Sequence, residues 1–364
     1  MQIQCDDATA ARLLAAIRDE VVKAGASLHP DLVIHQRGPD MWATCATPAQ
    51  VQPLLRIPAQ VLLPMDPIHW APGLDLTPSQ GLEQLTGRQR RLLEWMLALY
   101  ETTGKIEYIR PRLPALALTD QPWLVAYLAR AWPGWGKRQT ALTATQAFIK
   151  TRALGITDKA DGVRRRWLMP LIDVFNHHPA GAKFATRNGG VAIAANRPDG
   201  THECFARYGF RDAMSLLLNY GYVDSRPGFV QSVACEVGLD GHGSLRIEGQ
   251  HGGKRTDLPS LNVRPDGEVA ISHFNLDPRT MARDLALLGL LLRRQAPGMT
   301  RTVQEERAMA VYEAIRAANV NHYLGLLDLL RRGEPAIEVA IIAGMLAEVA
   351  DHQLAVLNKI RGSA

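Results

Sequence analysis

Apolar residues spaced three and four apart mark residues 8 to 25 as an amphipathic helix. Ala11, Leu13, Leu14, Ile17, Val21 and Val22 fall on that pattern, and Gly25 stops it. From Leu32 to Leu63 the period changes. Short apolar runs such as Leu32-Val33-Ile34 and Val61-Leu62-Leu63, broken by prolines and glycine, predict short strands joined by turns. Residues 72 to 154 return to helical spacing, clearest from Arg91 to Tyr100. Residues 188 to 208 read as strand-like pieces again, with Val191 to Ala194 as one piece and Gly200 as turn punctuation. Beyond Arg226-Pro227-Gly228, short alternating stretches run to about Ser272. Three long periodic segments near 276–294, 300–332 and 335–360 then predict helices. No internal repeat or low-complexity linker interrupts this order.

A chain of 364 residues exceeds a single typical core, so two domains are expected. The apolar share of 47% and charged share of 21% are those of an ordinary globular protein. No run of about 18 apolar residues occurs, which predicts no transmembrane helix. The opening Met1 to Asp7 lacks a basic region followed by an apolar stretch, so no signal peptide is expected. Cys5, Cys45, Cys204 and Cys235 are scattered without C-x-x-C spacing. Neither a disulfide framework nor a zinc cluster is expected, and the reading is a reducing, cytoplasmic setting. Ala/Arg/Leu-rich usage reads as bacterial.

Net charge is +5, with basic residues clustered at Arg88 to Arg91 and at Arg164-Arg165-Arg166. Neither cluster is interleaved with aromatics as a nucleic-acid interface would be. Both are expected to be solvated helix ends, with an acidic protein partner as the functional alternative.

The segment from Met169 to Asp224 carries the chemistry. It contains Asp173-x-x-Asn176-His177, then Tyr208-Gly209, then Tyr220-Gly221-Tyr222 beginning twelve residues after Tyr208. An Asn-His pair alone is common. Three pieces in this order and spacing are specific. Together they resemble the catalytic core of SET-domain methyltransferases, in the subfamily of the Rubisco large-subunit methyltransferase and the actin-histidine methyltransferase. Ile109 to Pro114 looks like that family's Pro-Tyr-x-x-x-Leu-Pro element, with Arg112 in the aromatic position.

The resemblance implies an α+β fold. A SET β-fold over residues 1–225 would be interrupted by a helical insert at about 72–154. An all-helical, substrate-binding-like C-terminal domain would follow over 226–364. It also implies S-adenosylmethionine as cofactor. Asn176 and the backbone of His177 would grip it, Asp173 would support their loop, and Arg152, after Thr151, would pair with its carboxylate. Gly38 remains of the family's Gly-x-Gly cofactor loop, with Asp40 in the second glycine position. Tyr208 would supply the catalytic phenol, Tyr220 would line the acceptor channel, and Tyr222 would pack on the cofactor. Ala213 stands where the family often carries Asn, with Asp212 beside it.

The residues also have plainer readings. Asp173 to His178 could be a polar turn after a buried strand, Arg152 an exposed helical arginine, and the three tyrosines ordinary strand or core aromatics. His178 has no counterpart in the motif and is expected to face solvent. Adjacent histidines on a turn rarely converge on one ion, so no metal site is expected.

Methyl transfer to an amine is an in-line displacement, and the amine must be neutral, dry and aligned. A lysine titrates near 10.4 in water, and desolvation beside a sulfonium lowers that value. A tyrosine-lined channel suits the task. The leading expectation is therefore a protein-lysine N-methyltransferase whose substrate docks on the C-terminal domain, with neither nucleic acid nor membrane involved. A histidine, amino-acid or peptide natural-product acceptor is the second. A catalytically silent SET-fold interaction protein is the third.

Overall fold

The computed structural model describes residues 1–46, 53–71, 73, 76–139, 143–157, 162–239, 243–249, 259–263, 269–295, 298–333 and 339–361. The chain forms two compact units, each assembled from two separate stretches. The first comprises 1–110 and 142–209, the second 111–141 and 210–364. The fold is mixed α and β.

In the first unit, Asp7 caps the helix Ala8–Lys23 by accepting from the Ala10 N–H at 2.7 Å. The helix buries Ala10, Leu14, Ile17 and Val21 and packs against the helix Gly87–Thr102. Thr86 and Gln89 start the latter with a reciprocal capping box. Arg88 and Arg91 both reach the buried Glu20, at 2.9 and 3.0 Å. The Arg88 hydrogen bond holds the Glu20 carboxyl below its usual range.

Alternating burial places the strands. Leu32–Arg37 turns Leu32 and Ile34 inward, pairing parallel to Gln2–Cys5 and antiparallel to Asp40–Cys45. Glu203–Cys204 closes that sheet. A second sheet orders 185–187, 190–194, 53–57 and 27–28, and a third orders 63–64, 164–168 and 153–157. The basic run Arg164-Arg165-Arg166 therefore lies in a strand, where a helix end was expected. Arg166 pairs with Asp66 at 2.8 Å.

In the second unit, the core joins Leu124, Leu128, Trp132 and Trp135 to Leu217, Ile271, Tyr312, Tyr323, Leu346 and Leu357. This unit is not all-helical. Strands 235–238, 244–247, 269–271 and 261–263 form one sheet, and 230–231 pairs with 275–276. The long helices Met281–Gln295, Arg301–Arg332 and Ala340–Arg361 follow. Ala340–Ile360 is long and apolar enough to cross a membrane, which the absence of an unbroken apolar run did not suggest. Ile342, Leu346, Val349, Leu357 and Ile360 are nevertheless spent on the core. The boundary expected at 225/226 falls inside the second unit, and the helical insert expected at 72–154 is divided between the two.

Candidate functional site

The strand ending at Leu168 runs into a buried loop, where Leu171 adopts φ +66° and residues 172–174 make a 3₁₀ turn. The following segment is stitched to residues 205–208. The Asn176 carbonyl accepts from Ala206 N–H at 2.8 Å, Ala182 N–H donates to Phe205 at 2.9 Å, and Arg207 N–H donates to Ala182 at 2.7 Å. Gly181 makes this approach attainable, since a Cβ there would lie 2.7 Å from the Ala206 carbonyl. Two side-chain bonds finish the stitch. Tyr208 N–H donates to His177 Nδ1 at 3.0 Å, and the Tyr208 hydroxyl donates to the Phe175 carbonyl at 2.7 Å.

These bonds fix chemical roles. An Nδ1 that accepts carries no proton, so the neutral imidazole of the buried His177 keeps its proton on Nε2. Having donated to Phe175, the Tyr208 hydroxyl has acceptor capacity left. The two rings lie 5.1 Å apart, tilted by 42°.

Asp173 is buried, and the Tyr100 hydroxyl donates to its Oδ2 at 2.6 Å. Burial pushes the Asp173 carboxyl above its usual range, against the opposing pull of the Arg152 guanidinium and the Tyr100 hydroxyl. Burial likewise pushes the Tyr100 phenol well above its own. Arg152 ends the helix Ala144–Arg152, which begins with a capping box between Thr143 and Gln146. Its Nη1 donates to the Asp173 carbonyl at 3.2 Å, and its guanidinium lies 6.0 Å from the Tyr100 ring centre. Its Nε is buried with no hydrogen-bond partner. Arg152 is thus neither an exposed helical arginine nor a fully satisfied core residue.

Asn176 is exposed, and its amide nitrogen donates to Glu203 at 2.8 Å and to the Met41 carbonyl at 3.3 Å. Both donors are engaged, which orients the side-chain oxygen as the atom offered to a ligand. Gly38 forms the turn between strands 32–37 and 40–45 with φ +54°, its N–H bonded to Asp6 at 3.1 Å. It shapes the hairpin that carries Met41 to Asn176. Asp40 stands 4.0 Å from the ammonium of the buried Lys105.

His178 corrects an expectation. It is buried, with Nδ1 accepting from Ala180 N–H at 3.0 Å and its ring 5.4 Å from Phe205. The Ala180 backbone N–H bonds its ring where solvent was expected to. Among the described residues, no group of three or more His, Cys, Asp or Glu side chains could hold a metal.

Tyr220 and Tyr222 belong to the second unit. Tyr220 ends the helix Ala213–Tyr220, so it is a helical residue and not a strand aromatic. Gly221 caps that helix at φ +72°, and a Cβ there would meet Leu113 at 3.0 Å. The Ile109–Pro114 element and the second Tyr-Gly are therefore coupled at Leu113 and Gly221. The rings of Tyr220 and Tyr222 lie 6.4 Å apart. Ala213 opens the helix, and Asp212 is its N-cap, accepting from Ser215 N–H at 2.9 Å.

The first unit thus brings together Arg152, Asp173, Asn176, His177 and Tyr208. Tyr100 and Glu203 complete the group without any signal in the sequence. Tyr100 read only as the end of a helical segment, and Glu203 as part of a strand-like piece. An α-amino acid group fits here. The orphaned Arg152 Nε suits a carboxylate, and the Asn176 oxygen suits an ammonium. No known protein family matches the chain, and neither does any curated protein.

Proposed function

We propose that the chain is an S-adenosylmethionine-dependent N-methyltransferase acting on a lysine side chain of a protein. The observation that carries this reading is the stitching of the Asp173–His177 loop to Tyr208, with Arg152 bonded to the same loop and its Nε unsatisfied. Arg152 would hold the cofactor's carboxylate, and the Asn176 oxygen its ammonium. Tyr100 and Asp173 keep Arg152 and the loop in place. Bound there, the cofactor supplies a methyl group activated on sulfonium sulfur. Tyr208 offers an oxygen acceptor fixed by its bond to Phe175, which suits the partial positive charge that develops on the migrating methyl and the attacking amine. By the resemblance, Tyr220 and Tyr222 are the family's second aromatic pair. A protein substrate docks on the second unit, and the setting is the cytoplasm.

One observation favours the silent alternative. The Asp40–Lys105 pair puts side chains where the family's second glycine leaves bare backbone. Calorimetry with S-adenosylmethionine separates the two readings. Binding that is lost in Arg152→Ala supports the enzyme, and no binding to the unmodified chain supports the silent module. Transfer of a labelled methyl group to protein lysine then tests the acceptor.

A further inference from the structure

The second unit contains a pocket of about 90 Å³ whose described lining includes Trp132, Trp135, Arg211, Asn219, Gln231 and His273. None of these residues belongs to the loop that holds Asn176 and His177. Ligand sites for whole cofactors typically occupy some 300 Å³ or more, so this is a subsite for one chemical group on a short stem.

Its walls are built. The Asp212 carboxylate is fully buried and accepts from Ser215 N–H and Gln231 N–H, both at 2.9 Å. The Ser215 hydroxyl donates to Gln231 Oε1 at 2.6 Å. The Trp135 indole is anchored through its N–H to the Leu218 carbonyl at 3.1 Å. At the rim, the Arg211 guanidinium lies 5.6 Å from the ring centre of Tyr220. The Tyr220 ring beside it helps to hold the guanidinium, whose planar fork of donors can meet a carboxylate with two hydrogen bonds. Arg211 carries the only permanent charge among the described lining residues.

We propose that this pocket binds a carboxylate on a short apolar stem. The carboxylate meets Arg211, and the stem lies against Trp132 and Trp135. The assignment does not depend on the methyl-transfer reading. Its ligand is either an acidic side chain of a peptide or a free short dicarboxylic acid, because both present the same group.

The test is titration of the full chain, labelled with ¹⁵N at its seven tryptophans, followed through the indole N–H signals. Trp132→Phe and Trp135→Phe assign the two pocket resonances. The probes are N-acetylglutamate N-methylamide, its neutral glutamine isostere, and glutarate. The expected result is saturable shifts of both resonances with the glutamate probe. The isostere should bind at least about tenfold more weakly, as should the Arg211→Gln variant, in keeping with loss of a charge-assisted bidentate contact. Tighter binding of the peptide mimic identifies an acidic side chain as the ligand, and tighter binding of glutarate identifies a free acid. Equal affinity for the glutamate and glutamine probes overturns the proposal on the unaltered chain, whatever Arg211→Gln does to folding. So does the absence of shifts at Trp132 and Trp135 with all three probes.

Discussion

The Tyr100 hydroxyl donates to the Asp173 carboxylate across 2.6 Å and joins two residues 73 positions apart in the interior of the first unit. Tyr100→Phe keeps the ring and strands a buried carboxylate. The expected cost is about 1.5–3 kcal/mol, the range for a hydrogen bond to a charged group. Burial already holds the Asp173 carboxyl above its usual range, and the hydroxyl opposes that shift. Its loss raises the folded value further, and stability from a raised carboxyl is present when protonated and lost as pH rises. The defect is therefore largest at neutral pH and shrinks towards the ordinary aspartate range. Urea unfolding of the two proteins at several pH values checks this, and a pH-independent gap contradicts it.

Arg152→Ala and Asn176→Ala should each weaken S-adenosylmethionine binding. For the exposed Asn176 the expected loss is about 0.5–1.5 kcal/mol, the net worth of a typical hydrogen bond. Calorimetry measures it. Binding unchanged in both variants would remove these residues from the cofactor site.

Tyr208→Phe should lower the methyl-transfer rate by roughly two to three orders of magnitude, the usual consequence of losing one preorganised dipole. Cofactor affinity should change little, since the ring and the backbone bond to His177 survive. Labelled methyl transfer at matched cofactor occupancy tests the claim. Equal rates would move the role to Tyr220.

His322 gives a separate pH prediction for the second unit. Its ring is packed among Tyr127, Trp132 and Tyr323, with centroids 4.9, 5.0 and 5.3 Å away, and its buried Nε2 has no hydrogen-bond partner. Burial pulls its pKa down to about 4. Between the unfolded value near 6.5 and that point, the unfolded chain binds a proton that the folded chain does not. Stability from this residue therefore falls as pH falls through that window, by about 3 kcal/mol in all. Relative to His322→Phe, the unaltered protein should lose that much between pH 6.5 and 4 in denaturant titrations. Parallel pH curves would show that the ring is solvated.

Several helices were legible because they combine an apolar period with a capping residue. Thr86 with Gln89 and Thr143 with Gln146 are visible as pairs three residues apart. The Asp173, Asn176, His177 and Tyr208 group was legible as an ordered motif. What escaped is long-range. Tyr100 and Glu203 meet the motif only through folding, and His178 is buried because the Ala180 N–H, two residues on, satisfies it. The sheet in the second unit pairs Ser244–Ile247 in parallel with Val269–Ile271, a register that short alternating runs do not specify. Amphipathic spacing in Pro122–Ala131 announces a buried face but does not name its partner, so the helix read as part of the insert.

The interleaving of 1–110 and 142–209 with 111–141 and 210–364 bears on how the chain is made. On the ribosome, the first unit cannot close until residue 209 has emerged. Until then the largely helical segment 111–141 waits with Leu124, Leu128, Trp132 and Trp135 uncovered, because their partners lie beyond residue 210. A truncation near residue 225 keeps Leu217 and Leu218 but withholds Ile271, Tyr312, Tyr323, Leu346 and Leu357 from that core. Such a fragment would reach chaperones or aggregate, and residues 226–364 alone would miss one wall of their own core. Neither half can be tested by simple excision, and a fusion that joins 111–141 directly to 210–364 is the smaller piece to try.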